Sequence, residues 1–175
     1  GLPKHLEQTE PTFHHIEAQE LPAWEDNGVQ YKLIAGEAFD KKSPVPVHSK
    51  LFFIEIKTIE AKKISIGKDL YGEAAMYVLE GTVKIEDNNY GSKQLLIAKN
   101  TKLCEFEMSE NATFYLFGGE PFDEERFMFW NFVNSDKNVI EQAKINWHDQ
   151  NHEAFPLVAG DEEEFVPLPK SVLSK

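Results

Sequence analysis

Two hydrophobic periods run along this chain, and the change between them divides it. From Val29 to Phe117 apolar and polar residues alternate, the two-residue period of half-buried strands. In Leu51-Phe52-Phe53-Ile54-Glu55-Ile56-Lys57, Phe52, Ile54 and Ile56 share one face, while Glu55 and Lys57 take the other. Similar short strands are predicted at 62–66, 76–80, 82–86, 94–98, 103–108 and 113–117. In 103–108, Cys104, Phe106 and Met108 oppose Glu105 and Glu107. The separators Gly67-Lys68-Asp69, Gly81, Asp87-Asn88-Asn89, Lys99-Asn100 and Glu110-Asn111 carry turn residues. Strands this short at near-regular spacing predict a sandwich or closed barrel.

The flanking segments follow other patterns. Residues 1–25 are polar and interrupted by Pro3, Pro11 and Pro22, with an apolar piece around Phe13 and Ile16, which predicts an N-terminal arm or linker strand. Beyond Gly118-Gly119, the run Phe127-Met128-Phe129-Trp130-Asn131-Phe132-Val133 is predicted to cover the barrel and pack beneath a helix through Trp147. That helix, of about 12–15 residues, would start at Ser135 as N-cap and bury Val139, Ile140, Ala143 and Trp147. In the tail, Asp161-Glu162-Glu163-Glu164 reads as a solvated loop. The resulting division is 1–25 arm, 26–120 barrel, and 121–175 aromatic segment, helix and tail.

Composition narrows the function classes. The 175 residues carry a net charge of −12, which argues against partners that need Lys and Arg on phosphates, namely nucleic acid and anionic membranes. A chain of this size buries about 70% of its unfolded surface and needs no cross-link to stay folded. The single cysteine, Cys104, allows no internal disulfide and reads as a small core residue. With no 18-residue apolar run and no basic stretch leading into an apolar one, no membrane span or signal peptide is predicted, and the expected location is cytoplasmic. The start, Gly1-Leu2-Pro3-Lys4, lacks Met, as expected of a removed tag or a missing upstream segment. There is no phosphate loop and no nucleophile elbow, and no carboxylate pair stands out. Asn111-Ala112-Thr113 is a glycosylation triplet that reads as a turn.

The run Gly119-Glu120-Pro121-Phe122-Asp123-Glu124-Glu125-Arg126, continuing through Phe127 to Val133, resembles the closing signature of the pirin family. So do Ile140-Glu141-Gln142-Ala143-Lys144 and the stretch from Pro156 to Pro169. Leu33-Ile34-Ala35-Gly36-Glu37-Ala38-Phe39, Ser43-Pro44-Val45 and His48-Ser49 are similar to the start of the second pirin half, and Leu2-Pro3-Lys4 to the passage between halves. Val78-Leu79-Glu80-Gly81 resembles a cupin strand and turn. The resemblance implies an all-β, cupin-type antiparallel barrel (a double-stranded β-helix, jelly-roll-like) with one C-terminal helix and an extended tail. It also implies that iron, held in pirins by three His and one Glu, belongs to an N-terminal cupin without counterpart here.

A cupin metal site uses two inward His at i and i+2, with a carboxylate and a further His nearby. Counted back from Val78-Leu79-Glu80-Gly81, the ligand positions fall near Lys68, Leu70 and Ala74, and Glu73 is one residue off, on the opposite face. His14 and His15 read as an exposed pair, His48 as a backbone partner near the barrel mouth, and His148 as a helix C-terminal charge rather than a ligand paired with His152; His5 lies in the arm. No catalytic, cofactor-binding or metal residue is expected, and no cofactor in this chain. The preferred expectation is a non-catalytic structural or interaction module whose barrel is filled by Phe52, Ile54 and Cys104. Two others stand beside it: part of an iron-dependent pirin with a quercetin 2,3-dioxygenase-type or transcription-coregulator role, and a barrel that binds a small aromatic ligand. Self-association through a surface left open by the absent half, or a protein partner, is expected on the same grounds.

Overall fold

A computed structural model of the protein describes residues 1–66, 70–98 and 105–169. Among the described residues of Glu10–Pro121 the alternation becomes eleven antiparallel strands: β1 (Ala23–Asp26), β2 (Val29–Ala38), β3 (Lys41–Lys42), β4 (Leu51–Thr58), β5 (Lys62–Ser65), β6 (Glu73–Glu80), β7 (Thr82–Ile85), β8 (Asn88–Gly91), β9 (Gln94–Ala98), β10 (Glu105–Met108) and β11 (Thr113–Gly119). The larger sheet runs β1-β2-β4-β11-β6-β9 with β3 on β2, and the smaller runs β5-β10-β7-β8.

The period-2 faces meet between these sheets. The larger sheet supplies Leu33, Ile54, Ile56, Met76, Val78, Phe114 and Leu116, and the smaller supplies Ile64, Val83, Phe106 and Met108, all in one buried cluster. Phe106 meets Phe114 edge-on at 5.3 Å, which ties one sheet to the other. Each such side chain contributes about 1.5–3 kcal/mol through burial, so this face sets the register. In β2 the alternation holds for Val29, Tyr31 and Leu33, then a bulge between Leu33 and Ala35 shifts the inward set to Gly36 and Ala38.

Residues 1–9 and 122–169 form a second compact unit. Its hairpin, β12 (Phe127–Phe129) and β13 (Phe132–Asn134), leads into α1 (Lys137–His148). The predicted N-cap moves by one residue: the Asp136 carboxylate, not the Ser135 hydroxyl, accepts the Asn138 amide at 2.8 Å. Asp136 is the last extended residue before the helix, and Ser135 is engaged elsewhere: its N–H and Oγ donate to the Glu7 carboxylate at 2.8 and 2.7 Å. Ile140 is buried and Ala143 and Trp147 are half-buried, but Val139 is exposed, a turn of about 100° off the stripe through Ile140.

The aromatic run does pack beneath the helix. Trp130, at φ 53, turns the hairpin and sets its ring 5.6 Å from Trp147, and Phe132 lies 6.1 Å from the same ring. Phe155 stacks on Phe132, Phe165 stacks on Trp147, and the Trp147 indole N–H donates to the Val166 carbonyl at 2.9 Å. The acidic run Asp161 to Glu164 is exposed, as predicted. Arg126 fastens the first residues to this unit: its guanidinium donates to the Leu2 carbonyl at 3.1 and 3.3 Å and lies 3.3 Å from the Glu7 carboxylate. Both side chains are about nine-tenths buried, at 11% and 9% exposure. No helix among the described residues is long and apolar enough to cross a membrane.

Candidate functional site

The inside of the roll is where a barrel of this kind would hold a metal or ligand, and its inward positions are apolar. Phe52, Ile54, Met76, Val78, Phe114 and Leu116 are each at most 1% exposed. Of the positions predicted to correspond to ligands, Ala74 is buried and Leu70 is half-buried, while Lys68 lies outside the described residues; Glu73, one residue off, is exposed, and Cys104, expected in the core, also lies outside the described residues. Iron and zinc require imidazole, carboxylate or thiolate donors, which this wall of hydrocarbon does not offer.

All six histidines are exposed. His15 is 3.0 Å from Glu17, and His148 ends α1 with its Nδ1 2.9 Å from Asp149. His152 falls beyond the helix, so the i, i+4 spacing does not bring the two rings to one helical face. His48 sits in the loop between β3 and β4. Among the described residues no three His, Cys, Asp or Glu side chains cluster in a way that could hold a metal ion. Among the described residues, the donors of this roll do not fit the set of three His and one Glu that the resemblance places in the N-terminal cupin of pirins. In the glycosylation triplet, Asn111 occupies a turn at φ 50 and Thr113 is buried.

Polar chemistry gathers instead at one end of the roll. The Tyr71 hydroxyl lies 2.7 Å from the Leu51 carbonyl and 3.0 Å from the Glu37 carbonyl, sharing its one proton between them. Burial pushes this phenol above its ordinary value of 10.0. Lys50 caps the Tyr71 ring at 4.6 Å and donates to Glu120 at 2.6 Å, and that hydrogen bond, with the Glu120 charge, raises the ammonium above 10.5. With the phenol proton committed to backbone and the ammonium committed to Glu120, this group clamps loops rather than offering an acid or base. Sequence reasoning missed it, and Lys50 and Glu120 are too far apart in the chain for any local pattern to have paired them.

Beside the clamp, an open groove of about 970 Å³ runs over the ends of β6, β9 and β11. Its lining includes the small Gly72, Ala75 and Gly118, the apolar Leu95, Ile97 and Phe117, and the carboxylates Glu73 and Glu120. Gly118 is fixed by backbone: a Cβ there would sit 1.9 Å from the Glu73 carbonyl oxygen, inside the β11–β6 ladder. The groove is on the surface, separate from the packed interior, and its lining combines apolar side chains with two carboxylates.

The pirin C-terminal cupin domain family matches residues 53–153. A pirin-like protein from Caulobacter vibrioides is 37% identical over 171 residues, covering 97% of this chain and 58% of the relative. Two crystal structures of quercetin 2,3-dioxygenase from Acinetobacter baumannii superpose on the chain. One, with a TM-score of 0.82 at 24% identity, covers 96% of this chain and 56% of the other. The second, with a TM-score of 0.73 at 29% identity, covers 89% and 54%. The chain spans little more than half the length of these relatives.

Proposed function

The chain belongs to the pirin family through the C-terminal cupin domain, and from that membership we propose that it acts as a metal-free, non-catalytic cupin, a structural or interaction module. The observation that supports this reading is the interior of the roll, where Ile54, Met76, Val78 and Leu116 stand with no exposure and no metal donor among them but the weak thioether. Quercetin 2,3-dioxygenase chemistry, for which the Acinetobacter relatives are named, would then rest on residues other than those of this roll. The single cysteine supports a cytoplasmic location, which cell fractionation would check.

Elemental analysis of the purified protein, before and after anaerobic incubation with ferrous iron, tests the proposal. The expected content is far below one metal per chain. Iron or zinc at one equivalent, removed by chelator with a change in stability, would overturn it. A second reading, that the chain works as half of an iron-dependent pirin, is favoured by its covering only 58% of the Caulobacter relative. A reading frame upstream of Gly1 that encodes a His-rich cupin, and quercetin turnover that requires it, would select this second reading over the first.

A further inference from the structure

Residues 1–9 share a compact unit with the aromatic hairpin and α1, yet they are attached to it as a ligand is to a receptor. Their backbone hydrogen bonds are local: the N–H groups of Leu6, Glu7 and Thr9 donate to the carbonyls of Pro3, Lys4 and Leu6 at 2.8, 3.3 and 3.1 Å. Among the described residues no backbone-to-backbone bond joins them to the rest of the unit. Side chains hold them instead. Arg126 donates to the Leu2 carbonyl and faces the Glu7 carboxylate, which also accepts the Ser135 N–H and Oγ. Phe122 and Val133 flank Gly1, where a Cβ would meet each at 3.5 Å, an ordinary contact. Leu2, Leu6 and Glu7 turn partly inward, while Lys4 and His5 between them are exposed. The next segment has no such hold. Residues 10–15 are all exposed, Phe13 at 89%, and among the described residues 10–16 make no backbone hydrogen bond. A stretch of that kind opens locally and is cut by proteases.

We propose that Phe122, Arg126, Val133 and Ser135 form a peptide-binding site for a short segment of the pattern Leu-Pro-x-x-Leu-Glu, filled by residues 1–9 of this chain and able to hold them without the covalent link through residues 10–16. The contacts belong to the strap and its cradle, and the link supplies only a high effective concentration. Charge sets the selectivity. Of the two carboxylates beside the guanidinium, Glu124 is 45% exposed and Glu7 is 9% exposed, so Glu7 carries the interaction that solvent screens least. A peptide with an uncharged residue at that place leaves a largely buried cation without its closest counter-charge. The site lies outside the roll and does not depend on whether the roll holds a metal.

Limited proteolysis of the 175-residue chain is the test. Brief treatment with chymotrypsin should open the bond after Phe13 while the roll stays whole, and Phe13→Ser should abolish that cut. In the cut wild type the fragment 1–13 should travel with the remainder through gel filtration and native mass spectrometry. Arg126→Met, folded by circular dichroism, should weaken its retention about 100-fold. Should that variant fail to fold, competition on the cut wild type decides. A free peptide of residues 1–9 in excess should displace the fragment, and the same peptide with Glu7→Gln should not. Resistance of the Phe13 bond, loss of the fragment from the cut wild type, retention unchanged in folded Arg126→Met, or equal displacement by the two peptides would each overturn the proposal.

Discussion

Tyr71 has a proton that the folded protein holds more tightly than the unfolded chain does, because burial raises the phenol above 10.0. Stability from this source is fully present below pH 10 and is lost as pH rises through the higher folded value. Lys50 works in the same window: raised above 10.5 by Glu120, it contributes fully below that value and loses its contribution above it. Tyr71→Phe should therefore lower stability at neutral pH by about 1 kcal/mol through the lost hydroxyl bonds. It should also flatten the decline above about pH 10 in urea-unfolding free energy measured from pH 8 to 12. A decline as steep as in the wild type would assign the alkaline loss to other groups, first among them Tyr115, which burial also raises. None of this was legible from the sequence, since Tyr71 carries its role through the carbonyls of Leu51 and Glu37, groups every residue possesses.

Elements were legible wherever one face is packed and the other wet. β4 and β11 lie where the alternation predicts them, because Phe52, Ile54, Ile56, Phe114 and Leu116 must all point one way. β2 does not stand out as a strand in the sequence because its bulge breaks the period after Leu33, nor does β12–β13, because six of its eight hairpin residues are large and apolar, on both faces. The helix start was missed by one residue because Ser135 and Asp136 are both good caps, and only the distant Glu7 decides which is free. Asp136→Ala should cost about 1 kcal/mol and speed amide exchange in the first turn of α1. Ser135→Ala should leave that turn protected, since the cap stays in place. Faster exchange in the Ser135 variant alone would return the cap to that residue.

At the scale of the whole molecule, the family and its cupin roll could be read from long motifs, while the packing of residues 1–9 against the aromatic hairpin and helix could not. Arg126 and Glu7 meet across most of the sequence, and the separation leaves no periodic trace. Arg126→Met removes the cation from a buried carboxylate and should destabilise the protein by about 3 kcal/mol in chemical denaturation. Adding Glu7→Gln to that variant should recover part of the loss, because the orphaned charge goes with it. A double variant no more stable than Arg126→Met would show that packing, not charge, holds the strap.

That same strap fixes how the molecule would carry a mechanical load. The contacts from Leu2 and Glu7 to Arg126 and Ser135 close the chain into a non-covalent ring, and the entire cupin roll, residues 10–121, is strung inside it. Tension applied between the two ends of the chain would run through this ion pair and its hydrogen bonds in series with the contacts of the helix and tail, bypassing the strands of the roll while the strap holds.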